Sequence, residues 1–73
     1  MSADEMFEKM NYEKSQNINL GYARRDEKGI LNAIIFFLEK KAIGIHYDEK
    51  TIGITMQELQ AINRKVKELG WNE

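Results

Sequence analysis

Cysteine is absent from this 73-residue chain and histidine occurs once, so neither a disulfide nor a thiolate metal site can support the fold. A structural zinc centre has no ligand set to draw on. An excess of one charge is also missing. Eleven basic residues against twelve acidic ones leave a formal net charge of -1 and a pI of about 5.8, which argues against a phosphate-binding surface dominating the chain. No apolar run is long enough to span a bilayer, and the first residues are acidic where a leader would be basic, so the expected location is the cytoplasm. With 73 residues a single core supplies only ~3–5 kcal/mol of net stability, all of it from packing, and dimerisation is a natural supplement.

Groups that do chemistry are equally scarce. His46 is the sole side chain whose ordinary pKa lies near neutrality, and no Ser, Cys or acid is placed by local sequence to work with it. Gly44 and Gly53 each sit in an Ile-Gly-Ile triplet that lacks both the lysine of a P-loop and the spacing of a dinucleotide fingerprint. Asp4, Glu5 and Glu8 fall in the first turns of a helix, where the dipole favours anions, so a structural role accounts for them. The expectation is a protein that is not an enzyme, with no catalytic residue, no cofactor and no metal.

What the chain does contain is the grammar of helix ends. Thr55 and Glu58 form a capping box, with Ile54 and Leu59 as the hydrophobic staple around it. Leu59, Ile62, Val66 and Leu69 then fall on one stripe, with Met56 at its edge. Gly70 supplies a left-handed residue and Trp71 a closing contact onto Val66, as in a Schellman motif, so a helix is expected over 56–69. The N-terminus repeats the pattern over 3–10: Ser2 and Glu5 as the box, Met1 and Met6 as the staple, Asn11 as the left-handed stop and Tyr12 folding back on Phe7. A helix this short is marginal alone and must dock on something.

Between the helices the period changes to two. Ile18, Leu20 and Tyr22 alternate with Asn19, Gly21 and Ala23, and Ile43, Ile45 and Tyr47 with Ala42, Gly44 and His46. Residues 25–29 read as a hairpin loop with Gly29 free to take positive φ, 30–38 as an almost wholly apolar middle strand, 48–50 as a loop and 51–54 as a brief continuation of the sheet. The expected fold is α+β in the order α-β-β-β-α, a three-stranded antiparallel meander with both helices packed on one face, in one domain over 1–73.

The middle strand has a surplus of apolar residues. Ile34, Phe36 and Leu38 point one way, and Leu31, Ala33, Ile35 and Phe37 the other, so whichever set meets the helices leaves the other on the open face. No two-residue Asn-Gly loop fixes the register, and the parity stays open. Ile34, Ile35, Phe36 and Phe37 are therefore the candidate interaction residues. Framed by Gly21, Ala23, Ala42 and Gly44, either set is a flat apolar patch that a two-fold axis would let a homodimer bury.

Two resemblances bear on function. The α-β-β-β-α order resembles the double-stranded RNA-binding domain, and Arg64, Lys65 and Lys67 cluster on the last helix. In that family the basic cluster opens the final helix, whereas here Glu58 does, and the later basic residues complement the negative end of the dipole. Nucleic-acid binding through Arg64, Lys65 and Lys67 is thus the alternative reading. Over nearly its full length the chain resembles small uncharacterised proteins of phages and prophages of Gram-positive bacteria. Ser2-Ala3-Asp4-Glu5-Met6-Phe7-Glu8-Lys9-Met10-Asn11-Tyr12, Ile54-Thr55-Met56-Gln57-Glu58-Leu59-Gln60-Ala61-Ile62-Asn63 and Glu68-Leu69-Gly70-Trp71 carry the likeness. It implies an accessory protein inside a bacterial host cell and transfers no active site. The expected function is non-enzymatic and acts by protein–protein binding, with a homodimer as its simplest form.

Overall fold

The computed structural model describes residues 1–47 and 53–71. Its elements run α1 (Ala3–Lys9), β1 (Glu13–Gln16), β2 (Leu20–Arg25), β3 (Leu31–Phe37), β4 (Ala42–Tyr47) and α2 (Met56–Glu68). The class is α+β, but the sheet has four antiparallel strands in the order β1-β2-β3-β4, not three. The added strand is Glu13-Lys14-Ser15-Gln16, exposed at every position, so no buried face imposed an alternation that periodicity could detect. It pairs with β2, Glu13 opposite Ala23 and Gln16 opposite Leu20, and Lys14 ties it to Asp4 of α1 at 2.9 Å. Ile18, expected in a strand, lies instead at the tip of the β1–β2 hairpin and is 89% exposed. The expected loop at 48–50 and the first half of the extension at 51–54 lie outside the described residues, and Gly53 and Ile54 are not in a strand.

Both helix ends form as their sequences dictate. Ser2 accepts from the Glu5 amide at 3.2 Å while the Glu5 carboxylate accepts from the Ser2 amide at 3.1 Å. Thr55 and Glu58 make the same reciprocal pair at 3.0 and 2.9 Å. Asn11 takes φ 66° and Gly70 φ 74°. The Tyr12 amide donates to the Phe7 carbonyl and the Trp71 amide to the Val66 carbonyl, which are the six-to-one bonds of two Schellman motifs. Thr55→Ala removes one arm of the second box and is expected to lower stability by ~0.5–2 kcal/mol. An unchanged chemical-denaturation midpoint would show that the box contributes nothing.

The register fixes the parity that the sequence left open. Leu20 lies opposite Phe36, which lies opposite Ile43; Tyr22 lies opposite Ile34, which lies opposite Ile45. This set faces the helices. Phe7 of α1 stacks on Tyr22 at 3.9 Å between ring centroids, and Trp71, just past α2, meets Phe36 at 6.1 Å. Phe7, Met10, Tyr12, Leu20, Tyr22, Ile34, Phe36, Ala61 and Ile62 form the buried core. Two of the candidate interaction residues, Ile34 and Phe36, are therefore core residues. Among the described residues no helix is long and apolar enough to cross a membrane.

Candidate functional site: the outer face of the sheet

The side of the sheet turned away from the helices carries Leu31, Ala33, Ile35 and Phe37 along its centre. All four are half-buried. The flanks are small: Gly21 and Ala23 on β2, Ala42 and Gly44 on β4. Gly44 is part of the construction. A Cβ placed there would lie 2.7 Å from Cε2 of Phe37, so the ring of Phe37 lies flat across β4 where any other residue would lift it. The face is consequently smooth and apolar at its centre. Glu13 and Arg25 stand on one margin and His46 on the other. At the turn end, Ile18, Phe37 and Leu38 share an open hollow with Asn19, Glu39 and Lys40. Sequence periodicity could not attach Ile18 to this surface, because its place depends on the unrecognised first hairpin.

The opposite side of the domain is where the ionisable groups are used. Glu58 is 2% exposed, opens α2, and accepts from the hydroxyl of Tyr12 and from the Thr55 amide. Arg24 of β2 stands 3.6 Å from the same carboxylate, lies over the Tyr12 ring at 4.5 Å, and donates to the Met10 carbonyl at 2.7 Å. Burial pushes the Glu58 pKa up, but the hydrogen bonds from Tyr12 and Thr55 and the charge of Arg24 outweigh it and hold the carboxyl below its ordinary range. Asp4 is likewise held low, by the Tyr22 hydroxyl first and by Lys14, with Lys65 adding its charge. Burial, together with the facing Asp4, raises the Tyr22 phenol well above its ordinary range. These are struts between layers: Tyr12 and Arg24 tie the sheet side to α2, and Asp4 ties α1 to β1, β2 and α2. Among the described residues no group of three or more His, Asp or Glu converges as a metal site would.

The basic residues of the last helix do not form one surface. Lys65 is turned toward α1, 11% exposed, with its ammonium 3.6 Å from Asp4 and 3.8 Å from Glu68. Arg64 pairs with Glu68 at 3.5 Å, and Lys67 is exposed on another side of the helix. Glu68 also accepts from the Ala3 amide, so this cluster joins the two helices.

No protein family, curated protein or solved structure matches this chain. The geometry offers a flat apolar sheet face on one side and, on the other, charges already engaged in holding the helices down.

Proposed function

We propose that this is a non-enzymatic accessory protein, of the phage and prophage kind that its two ends resemble, which acts in the cytoplasm of a bacterial host by binding protein through the outer face of its sheet. The observation that carries this reading is the apolar row Leu31, Ala33, Ile35 and Phe37 on the side away from the helices, flanked by glycine and alanine. A sheet face of this kind packs on another at a separation of about 10 Å, and small flanking residues allow that approach. The occupant that meets the requirement with no further component is a second copy, since a two-fold axis buries the same row twice. The charge distribution agrees, because the charged side chains of this face stand on its margins and none in the central row. Binding through Arg64, Lys65 and Lys67 draws no support from the structure, where Lys65 and Arg64 are paired with acids.

Phe37→Glu tests the proposal. The substitution places a charge on the outward surface without touching the helix-side core. Analytical ultracentrifugation at micromolar concentration is expected to show it at half the wild-type mass with an unchanged circular dichroism spectrum. A wild-type monomer, or folded Phe37→Glu protein at the wild-type mass, would contradict the reading.

A further inference from the structure

We propose that two copies of this chain dimerise with Ile35 of each seated over Gly21 of the other, about a two-fold axis that runs along the strands between β2 and β3. The arrangement rests on the outer face binding a second copy, as proposed above, and specifies how that copy lies.

The relief of the face carries this. On its outward side β3 presents Leu31, Ile35 and Phe37, while the neighbouring β2 presents Gly21 and Ala23 before its terminal Arg25. Gly21 lies across the ladder from Ile35. Among the described residues, the only atoms within 4 Å of a Cβ placed on Gly21 belong to Ser15, its Oγ at 3.4 Å and its carbonyl oxygen at 3.9 Å, so Ile35 does not lean over the glycine. An open notch therefore adjoins Ile35 on the β2 side. On the β4 side Gly44 is also opposite Ile35, but the Phe37 ring already occupies its space, 2.7 Å from where a Cβ would be. The face thus has a knob at Ile35 and its matching notch at Gly21.

Close packing requires that the knob of one copy fill the notch of the other, since a void forfeits the contacts of all its walls. A two-fold axis lying between the two faces has two principal directions. Across the strands, it lays β3 on β3 and β2 on β2, so the knobs share one line, the notches face each other, and the two β1 strands bring Glu13 of both copies to the same margin. Along the strands and through β3, it sets Ile35 on Ile35. Along the strands but between β2 and β3, it lays β3 of each copy on β2 of the other at the same height, so that Ile35 meets Gly21 and Ala33 meets Ala23. The β1 strands then stand at opposite margins, three inter-strand steps or about 14 Å apart. Each lies over β4 of the other copy, Ala42–Tyr47, which has no acidic residue to oppose Glu13. Packed sheets cross at about 30°, which displaces the strand ends more than a pair close to the axis.

Gly21→Leu and Ile35→Ala test the arrangement together, because the symmetric contact joins residue 21 of one copy to residue 35 of the other. Gly21→Leu alone fills both notches against Ile35, and Ile35→Ala alone empties both. Each is expected to weaken self-association by about tenfold or more. Mixed in equal amounts, the two variants should recover it, since in the mixed dimer the filled notch meets the truncated knob and the second contact is wild type. Native mass spectrometry separates the three dimers by mass, and circular dichroism confirms folding. The mixed dimer is expected well above its statistical share. Gly21→Val, whose side chain suits a strand, reports on the same contact if Gly21→Leu does not fold. Folded Gly21→Leu protein that dimerises as wild type does, or a mixed dimer at its statistical share, would overturn the arrangement and leave the outer face standing. A wild-type monomer would remove the face, and this arrangement with it.

Discussion

Phe7→Ala is expected to leave the chain unfolded at room temperature. Phe7 is fully buried, stacks on Tyr22 at 3.9 Å, and meets Tyr12 and Phe36 edge-on at 5.6 and 6.4 Å. It joins Tyr12 after the first helix to the second strand and the third. Truncating a buried phenylalanine costs ~3–5 kcal/mol through lost transfer energy and the cavity left behind. A domain of this size has about that much stability in total. Far-ultraviolet circular dichroism and amide dispersion in an NMR spectrum would check it. A cooperative thermal transition within a few degrees of wild type would mean that the aromatic cluster is not the centre of the core.

Glu58→Ala is expected to be nearly as damaging, for a different reason. The carboxylate, 2% exposed, is the common acceptor of the Tyr12 hydroxyl and the Thr55 amide and faces Arg24, so its removal takes one partner from each of the three. Breaking a buried charge pair by deleting one partner costs ~3–5 kcal/mol. Glu58→Gln keeps an acceptor and is expected to lose less. The same arrangement gives a pH dependence of definite sign. The Glu58 pKa lies below its ordinary 4.5 in the folded state and that of Asp4 below its ordinary 3.8, so folding favours both ionised forms. Their contribution is fully present above those ordinary values and is lost as pH falls through the lowered ones. Denaturation midpoints should therefore fall below about pH 4.5, and Glu58→Gln should flatten part of that decline. A wild-type midpoint that rises on acidification would contradict the arrangement.

How much of this was legible in the sequence depended on whether a residue's role was local. Caps and stops are decided within a few residues, and Ser2, Thr55, Asn11 and Gly70 take the places their chemistry requires, whereas the helical stripe holds at Ile62, Val66 and Leu69 but not at Met56 and Leu59, which are exposed. β1 was not legible because an edge strand with both faces in solvent carries no hydrophobic period. The parity of β3 was not legible either, because both of its faces are apolar and the choice is made by Tyr22 and Leu20 across the ladder. Ile43 and Leu59 are exposed at nominally helix-side positions, which the period of their elements did not foretell. Glu58 reads as a capping residue. That it is also the buried anchor for Tyr12 and Arg24 follows only from the tertiary arrangement, across 46 residues in the case of Tyr12.

The central claim, that the outer sheet face is the working surface, is tested most directly by isotope-filtered NOE spectroscopy on a sample mixed from labelled and unlabelled copies. Intermolecular contacts are expected from the methyl groups of Ile35 and Ala33 of one copy to the Phe37 ring and the same methyl groups of another. Methyl signals of Leu31, Ala33 and Ile35 that show only intramolecular and water contacts, in a sample where the copies are associated, would contradict it.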